Sequence, residues 1–342
     1  MRLVRSRLRV TRRQILAFRR RVGALDERMP MGARSLRRAA WAGLQDSMPR
    51  AALLSLHARV EDVEPSTWEH PSLAQLWGPR YSTYVVPKRD FALFSLARLP
   101  EDARGRLRAE RMADLLQSHL KGARVADREA AGALGVGNAI RYAATTGTVA
   151  IRWEGARAPV VWTVPAPKID PADARRELAR RYLHVFGPAT ADGFARWAGI
   201  SRRSAADAFA SLEGSLLPVR SPLGDDWLLG EDEPAIRAVE AAAAPARLLP
   251  SGDAYFLLDG AERELLVPRE DRRELLWTSR VWPGALLVEG EIRGTWRRAQ
   301  HTVRVDAWTR LSQGARDAVE AEASTLPLPG MDRPIEVVWN RK

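Results

Sequence analysis

Cysteine is absent from the 342-residue chain, which removes disulfides, thiolate metal sites and cysteine nucleophiles together. Long hydrophobic runs are missing too; no apolar stretch approaches the roughly 18 residues of a membrane span. Lysine is confined to Lys88, Lys121, Lys168 and Lys342, so arginine carries almost all the positive charge. A GC-rich genome favours arginine and alanine without reference to function, but codon usage does not set the sign of the net charge. Acidic residues are in deficit: 54 Lys and Arg against 42 Asp and Glu leave a formal charge of +12. Such an excess points to nucleic acid ahead of an anionic membrane or an acidic protein partner. Hydrophobic content of 46% and charged content of 28% are those of folded globular chains, which excludes wholesale disorder.

Metal and cofactor signals are equally scarce. The histidines His57, His70, His119, His184 and His301 have no metal-ligand spacing, and His57 and His184 sit in apolar helical patterns as packed residues. Gly135-Val136-Gly137 begins like a dinucleotide loop, but it follows a helix and Ile140 occupies the third glycine position. No metal and no cofactor are expected.

What is present is concentrated at the start. Arg2, Arg5, Arg7, Arg9, Arg12, Arg13, Arg19, Arg20 and Arg21 all precede the first acid, Asp26. No apolar core follows them, which speaks against a secretory signal. Ile15, Leu16, Phe18 and Val22 fall at helical spacing and read as a folded first helix. The expected setting is the bacterial cytoplasm, associated with the nucleoid.

The length has room for about two to three domains of ordinary size. The fold class expected is α+β, with tandem winged-helix (helix-turn-helix) repeats and a β-rich C-terminal region. The regions expected are 1–100, 101–168, 169–245 and 246–342, with the alanine run Ala241 to Pro245 at the last boundary. The clearest repeat spans about 171–230. Pro171 opens a helix that Gly187-Pro188 halts. Thr190 caps a second helix ending at Gly199, and Ser201 caps a third, before two strands around Ser221-Pro222-Leu223-Gly224. A second copy has helices at 112–120, 126–134 and 137–145, the last carrying Arg141 as a recognition helix. Its strands, 148–153 and 159–164, flank a turn at Glu154-Gly155-Ala156-Arg157. A looser first copy has helices near 12–23, 35–44 and 49–60 and strands near 75–86. From about 254 short strands alternate with turns, closed by a helix near 312–325 and a strand at 335–339. Among the tryptophans, Trp153, Trp197, Trp227, Trp282 and Trp296 fall in strand or helix stripes and are expected in the core.

Several stretches carry a family resemblance: Gly43-Leu44-Gln45-Asp46-Ser47 with Ala51-Ala52-Leu53-Leu54, Arg181-Tyr182-Leu183 with Phe186-Gly187-Pro188-Ala189-Thr190, Phe194-Ala195-Arg196-Trp197, and Trp282-Pro283-Gly284 with Gly294-Thr295-Trp296-Arg297-Arg298. Over nearly its whole length the chain resembles the winged-helix family that contains the bacterial AlkZ-type DNA glycosylases. The resemblance implies a basic, concave surface for duplex DNA and excision of alkylated purines, including N7 adducts. It also implies an active Gln–apolar–Gln or Gln–apolar–Asp tripeptide. Here Gln45 fits the first position, Asp46 replaces the apolar middle residue, and Ser47 replaces the residue that positions the attacking water. A second departure is Arg80-Tyr81-Ser82-Thr83-Tyr84, where the family pattern is Arg-Gly-Thr-apolar-His and Tyr84 stands at the histidine.

An N7-alkylated purine already carries positive charge and leaves readily, so a weakly polar site suffices to hydrolyse its glycosidic bond. Pro49 biases Met48 away from helical geometry, which favours extended chain at 45–48. Residues i and i+2 then share a face, placing Gln45 and Ser47 together and Asp46 opposite. Three readings stay open: Gln45 orients the water with help from Ser47; Asp46 is the base; or the tripeptide only satisfies the free amides of the next helix. The candidate catalytic residues are therefore Gln45, Asp46 and Ser47. The candidate DNA contacts are Arg80, Arg141, Arg152, Arg157, Arg202, Arg203, Arg297 and Arg298.

The expected partner is double-stranded DNA, bound by a monomer with no membrane and no metal. The alternative is a non-catalytic DNA-binding or regulatory protein on the same scaffold. Affinity for duplex DNA is expected to fall with salt, at a log–log slope of roughly 0.9 per phosphate neutralised. A flat response in a filter-binding titration across salt concentrations contradicts the electrostatic reading.

Overall fold

The structure, a computed structural model, describes residues 7–155, 157–238, 244–330 and 333–340. Arg2, Arg5, the turn residue Ala156, and Ala241, Ala242 and Ala243 of the expected boundary lie outside these. Strand β1 (Leu8–Arg9) leads into α1 (Arg12–Val22), which Thr11 opens with a reciprocal pair of bonds. The Thr11 hydroxyl accepts from the Gln14 amide, and the Gln14 side chain accepts from the Thr11 amide at 2.9 Å. Ile15, Leu16 and Phe18 bury the helix's apolar stripe.

The first unit continues through α2 (Ala33–Ala39), β2 (Leu44–Gln45), α3 (Ala51–His57), β3 (Leu73–Trp77), β4 (Thr83–Pro87) and α4 (Phe91–Leu96). Its antiparallel sheet has the order β2-β4-β3. Two expectations are corrected here. The helix expected over 35–44 stops at Ala39, because Gly43 takes a left-handed conformation (φ +79°) and the chain then extends into β2. The helix expected from 49 starts at Ala51, because Arg50 is itself left-handed (φ +65°).

The second unit comprises α5 (Ala103–Leu120), β5 (Val125–Ala126), α6 (Asp127–Ala133), a 3₁₀ segment at Gly137–Thr146, β6 (Val149–Arg152) and β7 (Val160–Thr163). Its sheet runs β5-β7-β6. The helix expected to carry Arg141 is thus 3₁₀ and not α. Thr145 and Thr146 donate side-chain hydrogen bonds three residues back, to the carbonyls of Tyr142 (2.9 Å) and Ala143 (2.8 Å), which tightens the turn.

In the third unit, Asp170 caps α7 (Pro171–Phe186), Thr190 caps α8 (Ala191–Ala198) and Ser201 caps α9 (Arg202–Ala210). Strands β8 (Leu216–Ser221) and β9 (Gly224–Leu229) follow, then α10 (Glu233–Arg237). Strand β1 lies parallel to β8, with Leu8 opposite Val219, so the start of the chain completes a sheet of this unit. Trp227, expected in the core, is instead 39% exposed, whereas Trp197 and Trp296 are buried. Trp227 pairs its backbone with Ala189, which leaves the ring on the outer face.

The C-terminal region holds β10 (Arg247–Leu249), α11 (Glu262–Leu266), α12 (Glu270–Leu276), β11 (Gly284–Val288), β12 (Glu291–Ala299), β13 (Thr302–Ala307), α13 (Gln313–Ser324) and β14 (Glu336–Trp339). The strands form one sheet in chain order, its last pair parallel. Together the described residues make a mixed α+β molecule of several small sheets.

Buried arginines join the units. Arg19 donates to the carbonyls of Phe186 and Gly187 at the end of α7. Arg175 donates to Ala97 O (3.0 Å) and Leu99 O (2.9 Å), and Arg247 to Ala58 O (3.0 Å). Each pairs orphan carbonyls of a chain end in another unit. His57 lies beneath α13 near Glu322, and burial, then the charges of Arg28 and Arg247, push its pKa down to about 3; it is a neutral packing residue. The most enclosed pair is Arg59 with Asp253, exposed only 3% and 1%, joined by two bonds of 2.7 Å. Asp253 also accepts from Ser55 Oγ (2.6 Å) and from the Tyr255 amide (2.9 Å). Asp253→Ala is expected to cost about 3–5 kcal/mol in urea unfolding because it strands a buried guanidinium. Adding Arg59→Met should recover part of that loss; no recovery would show that the charge is not what the deletion exposes.

Candidate active site and nucleic-acid interface

The tripeptide Gln45-Asp46-Ser47 lies where three units meet. Leu44 and Gln45 pair with Val85 and Tyr84, and the ladder runs one residue further, because the Asp46 amide donates to Thr83 O at 2.8 Å. The chain is therefore extended here, and alternate side chains part company. Gln45 Nε2 donates to Ser47 Oγ at 3.0 Å, so these two side chains share a face. Gln45 Oε1 is buried and has no hydrogen-bond partner. Gly252, left-handed at φ +77°, backs this amide so closely that an added Cβ would lie 3.3 Å from Gln45 Cδ. That glycine immediately precedes the buried Asp253.

Asp46 points the other way and is only 2% exposed. Its Oδ1 accepts the Ala52 amide (3.0 Å) at the first turn of α3, and its Oδ2 accepts Gln75 Nε2 (2.8 Å). Gln75 is itself oriented by the second unit: its Oε1 accepts the Trp153 amide at 2.7 Å, and its Nε2 donates to Trp153 O at 3.2 Å. Burial raises the Asp46 pKa to about 6, against the opposing pull of the Ala52 amide, the Gln75 amide and the Arg50 charge. Asp46 thus ties the extended tripeptide to α3 and, through Gln75, to β6.

Tyr84, opposite Gln45 on β4, is fully enclosed. Gly43 and Gly78 make room for its ring; a Cβ on either would come within 2.9 Å of it. Its hydroxyl has no hydrogen-bond partner, and burial pushes its pKa up to about 12.

Ser47 opens onto a groove of ≈ 540 Å³ whose walls include Thr83, Arg128, Arg141, Trp153 and Arg157. The β6–β7 turn closes one end, with Gly155 (φ +88°) against Pro49 so tightly that a Cβ would meet Pro49 Cβ at 2.9 Å. Arg157, two residues on, lines the same groove as Ser47. Arg128, at the start of α6, was missed in the sequence. The available signal was a basic residue at a helix N-terminus, where the helix dipole disfavours it.

The other candidate arginines lie elsewhere. Arg152 is paired with Glu69 at 2.5 Å and lies 4.4 Å over the Trp68 ring, in a different cleft. Arg80 is left-handed (φ +53°), exposed, 3.4 Å from Asp259, with its backbone against Gly199. Arg202 and Arg203 stand almost free at the start of α9, with Asp192 at 3.8 Å and Asp207 at 4.0 Å. Arg297 and Arg298, on β12, donate to the carbonyls of Val281 (2.9 Å) and Gln300 (2.7 Å). Of the eight, the structure brings only Arg141 and Arg157 to the groove at Ser47. Among the described residues there is no cluster of potential metal ligands, and no helix is long and apolar enough to cross a membrane.

Comparison with known proteins places these observations. A family described as DNA glycosylase AlkZ-like matches residues 36–327. Among solved structures, the Streptomyces sahachiroi DNA glycosylase AlkZ is similar at a TM-score of 0.79 with 17% identity, over 97% of this chain and 100% of that one. No curated protein sequence matches.

The Asp46 environment gives a test by titration. Its folded pKa of about 6 exceeds the ordinary value of 3.8, so unfolding between those pH values releases a proton and stability falls as pH rises through them. The contribution is on the order of 3 kcal/mol. Subtracting the Asp46→Asn unfolding curve from the wild-type curve, from pH 4 to 7, should isolate that slope; parallel curves refute the assignment.

Proposed function

The chain belongs to the DNA glycosylase AlkZ-like family, and on that premise we propose that it hydrolyses the N-glycosidic bond of alkylated, N7-adducted purines in double-stranded DNA. The observation that carries the reading is Ser47, bonded by the Gln45 amide, on a groove walled by Arg128, Arg141 and Arg157. In the second and third units, successive helical segments followed by a β-hairpin are read as tandem winged helices. The groove arginines take up backbone phosphates, with Arg202 and Arg203 extending the track along the third unit. The protein acts as a monomer at the nucleoid.

In this reading a water that donates to Ser47 Oγ, itself held by the Gln45 side-chain amide, attacks C1′ of the damaged nucleotide. The C1′–N9 bond breaks, its electron pair stays with the purine and cancels the ring charge, and the water's proton passes to solvent beside Ser47. Among the described residues no lysine lines the groove, so in this reading no Schiff base forms and the product is an intact abasic site. Asp46 touches neither water nor sugar. Its carboxylate lies behind the pair and stabilises the cation-like sugar through the field it sets up. The rate should therefore rise as pH passes through about 6, where Asp46 ionises.

The test is base release from duplex DNA carrying a defined N7-alkylguanine, counted as abasic sites. Gln45→Ala is expected to slow release by about 100-fold or more and Ser47→Ala by about tenfold. Asp46→Asn should lose the rise near pH 6. Salt-sensitive binding without release, in wild type and variants alike, would instead establish the non-catalytic reading.

A further inference from the structure

Strands β3 and β6 run side by side as the edges of two different sheets, bridged by the Gln75 side chain and by no ladder. A second cleft of ≈ 470 Å³ opens along this seam and shares no lining residue with the groove at Ser47. Trp68, Phe91 and Trp162 wall it, over a floor that includes Leu73, Ile151 and Val164. Its charged residues are Lys88, Arg124, Arg152 and Glu69. Arg152 and Glu69 neutralise one another at 2.5 Å. Lys88 and Arg124 remain, and among the described residues neither has a carboxylate within 4.0 Å. The Arg124 guanidinium lies 4.5 Å from the centre of the Trp162 ring.

Two unpaired cations beside aromatic walls select a ligand that is both planar and anionic. The lysine supplies a compact charge for a phosphate, while the arginine, held over one aromatic ring, supplies a second charge beside the stacking surface. The size falls within the usual range for small-molecule sites. A purine released by hydrolysis offers the plane without the charge, and inorganic phosphate the charge without the plane. We infer that this cleft is a binding site for a nucleotide, its base against Trp162 and Phe91 and its phosphate on Lys88 and Arg124. The nucleotide is either free or part of a single strand. The inference does not depend on the glycosylase reading, because it uses neither the groove nor the tripeptide.

Titration calorimetry on the full chain tests it with adenosine and guanosine monophosphates, against adenosine and inorganic phosphate as partial ligands. One saturable site is expected, with each partial ligand weaker by about tenfold or more. Lys88→Ala and Trp162→Leu should each weaken the mononucleotides by about tenfold while leaving thermal stability and salt-sensitive duplex binding unchanged. A short single-stranded oligonucleotide separates the sources. If it binds through the same two residues and the monomers do not, the site takes a strand; if the monomers bind as well, it takes free nucleotide. Failure of both to saturate, or variants that bind as the wild type does, overturns the site.

Discussion

Guanidinium groups withdrawn from water hold this molecule together. Taking a charge out of solvent is costly unless each of its donors finds an acceptor, and arginine presents five donors in a plane. The cheapest acceptors inside a protein are carbonyls left over where helices and loops end. Arg19, Arg175 and Arg247 each take such carbonyls from a distant segment, Arg98 takes the last carbonyl of β3 and Arg59 a carboxylate, although Arg19 Nη1 and Arg98 Nε stay without a partner. Together with an apolar core shared among the first, third and C-terminal units, these bonds hold the small sheets in a fixed relation. The same residues account for part of the basic excess. Arg12 bonds Glu291 and the carbonyl of Leu265, and Arg20 bonds Asp26 and Gly290 O, so these two face inward while Arg7, Arg9, Arg13 and Arg21 stay exposed.

The candidate site inherits its geometry from these joins. Gly252 can press on the Gln45 amide because the next residue, Asp253, is clamped by Arg59, Ser55 and the Tyr255 amide. Asp46 can turn inward because Gln75 is already oriented by a peptide of the second unit. A side chain that would be hard to place as a chemical group is in this way a structural tie that leaves its two neighbours together on the opposite face. Tyr84 is the counterpart on the adjoining strand, an aromatic ring accommodated by two glycines and carrying a buried hydroxyl without a partner.

Local chemistry was legible in the sequence wherever a few neighbouring residues decide the outcome. Thr190 and Ser201 cap the helices they were expected to cap, Pro171 opens its helix, and Gly199 ends one in a left-handed turn. The alternation that separates Gln45 and Ser47 from Asp46 is of this kind. Where tertiary contacts decide, the pattern misled. The left-handed Arg50 and Gly43 shorten two helices of the first unit, and threonine side chains bonding backwards turn a helical stripe into a 3₁₀ segment. Arg152 was indistinguishable from Arg157 by charge and position, yet Glu69, 83 positions away in the chain, pairs with the first, while the second lines the groove at Ser47. No local signal encodes such a partner.

The parallel pairing of β1 with β8 bears on how the chain is made. Val219, opposite Leu8, is synthesised about 210 residues after it. At about 5–20 residues per second, that is a wait of roughly 10 to 40 seconds with an unpaired, arginine-flanked strand in the open. During that interval the segment is a ready edge for any passing chain, and its dense positive charge repels other copies of itself. The basic segment thus doubles as protection for a strand that must wait for its partner to be translated.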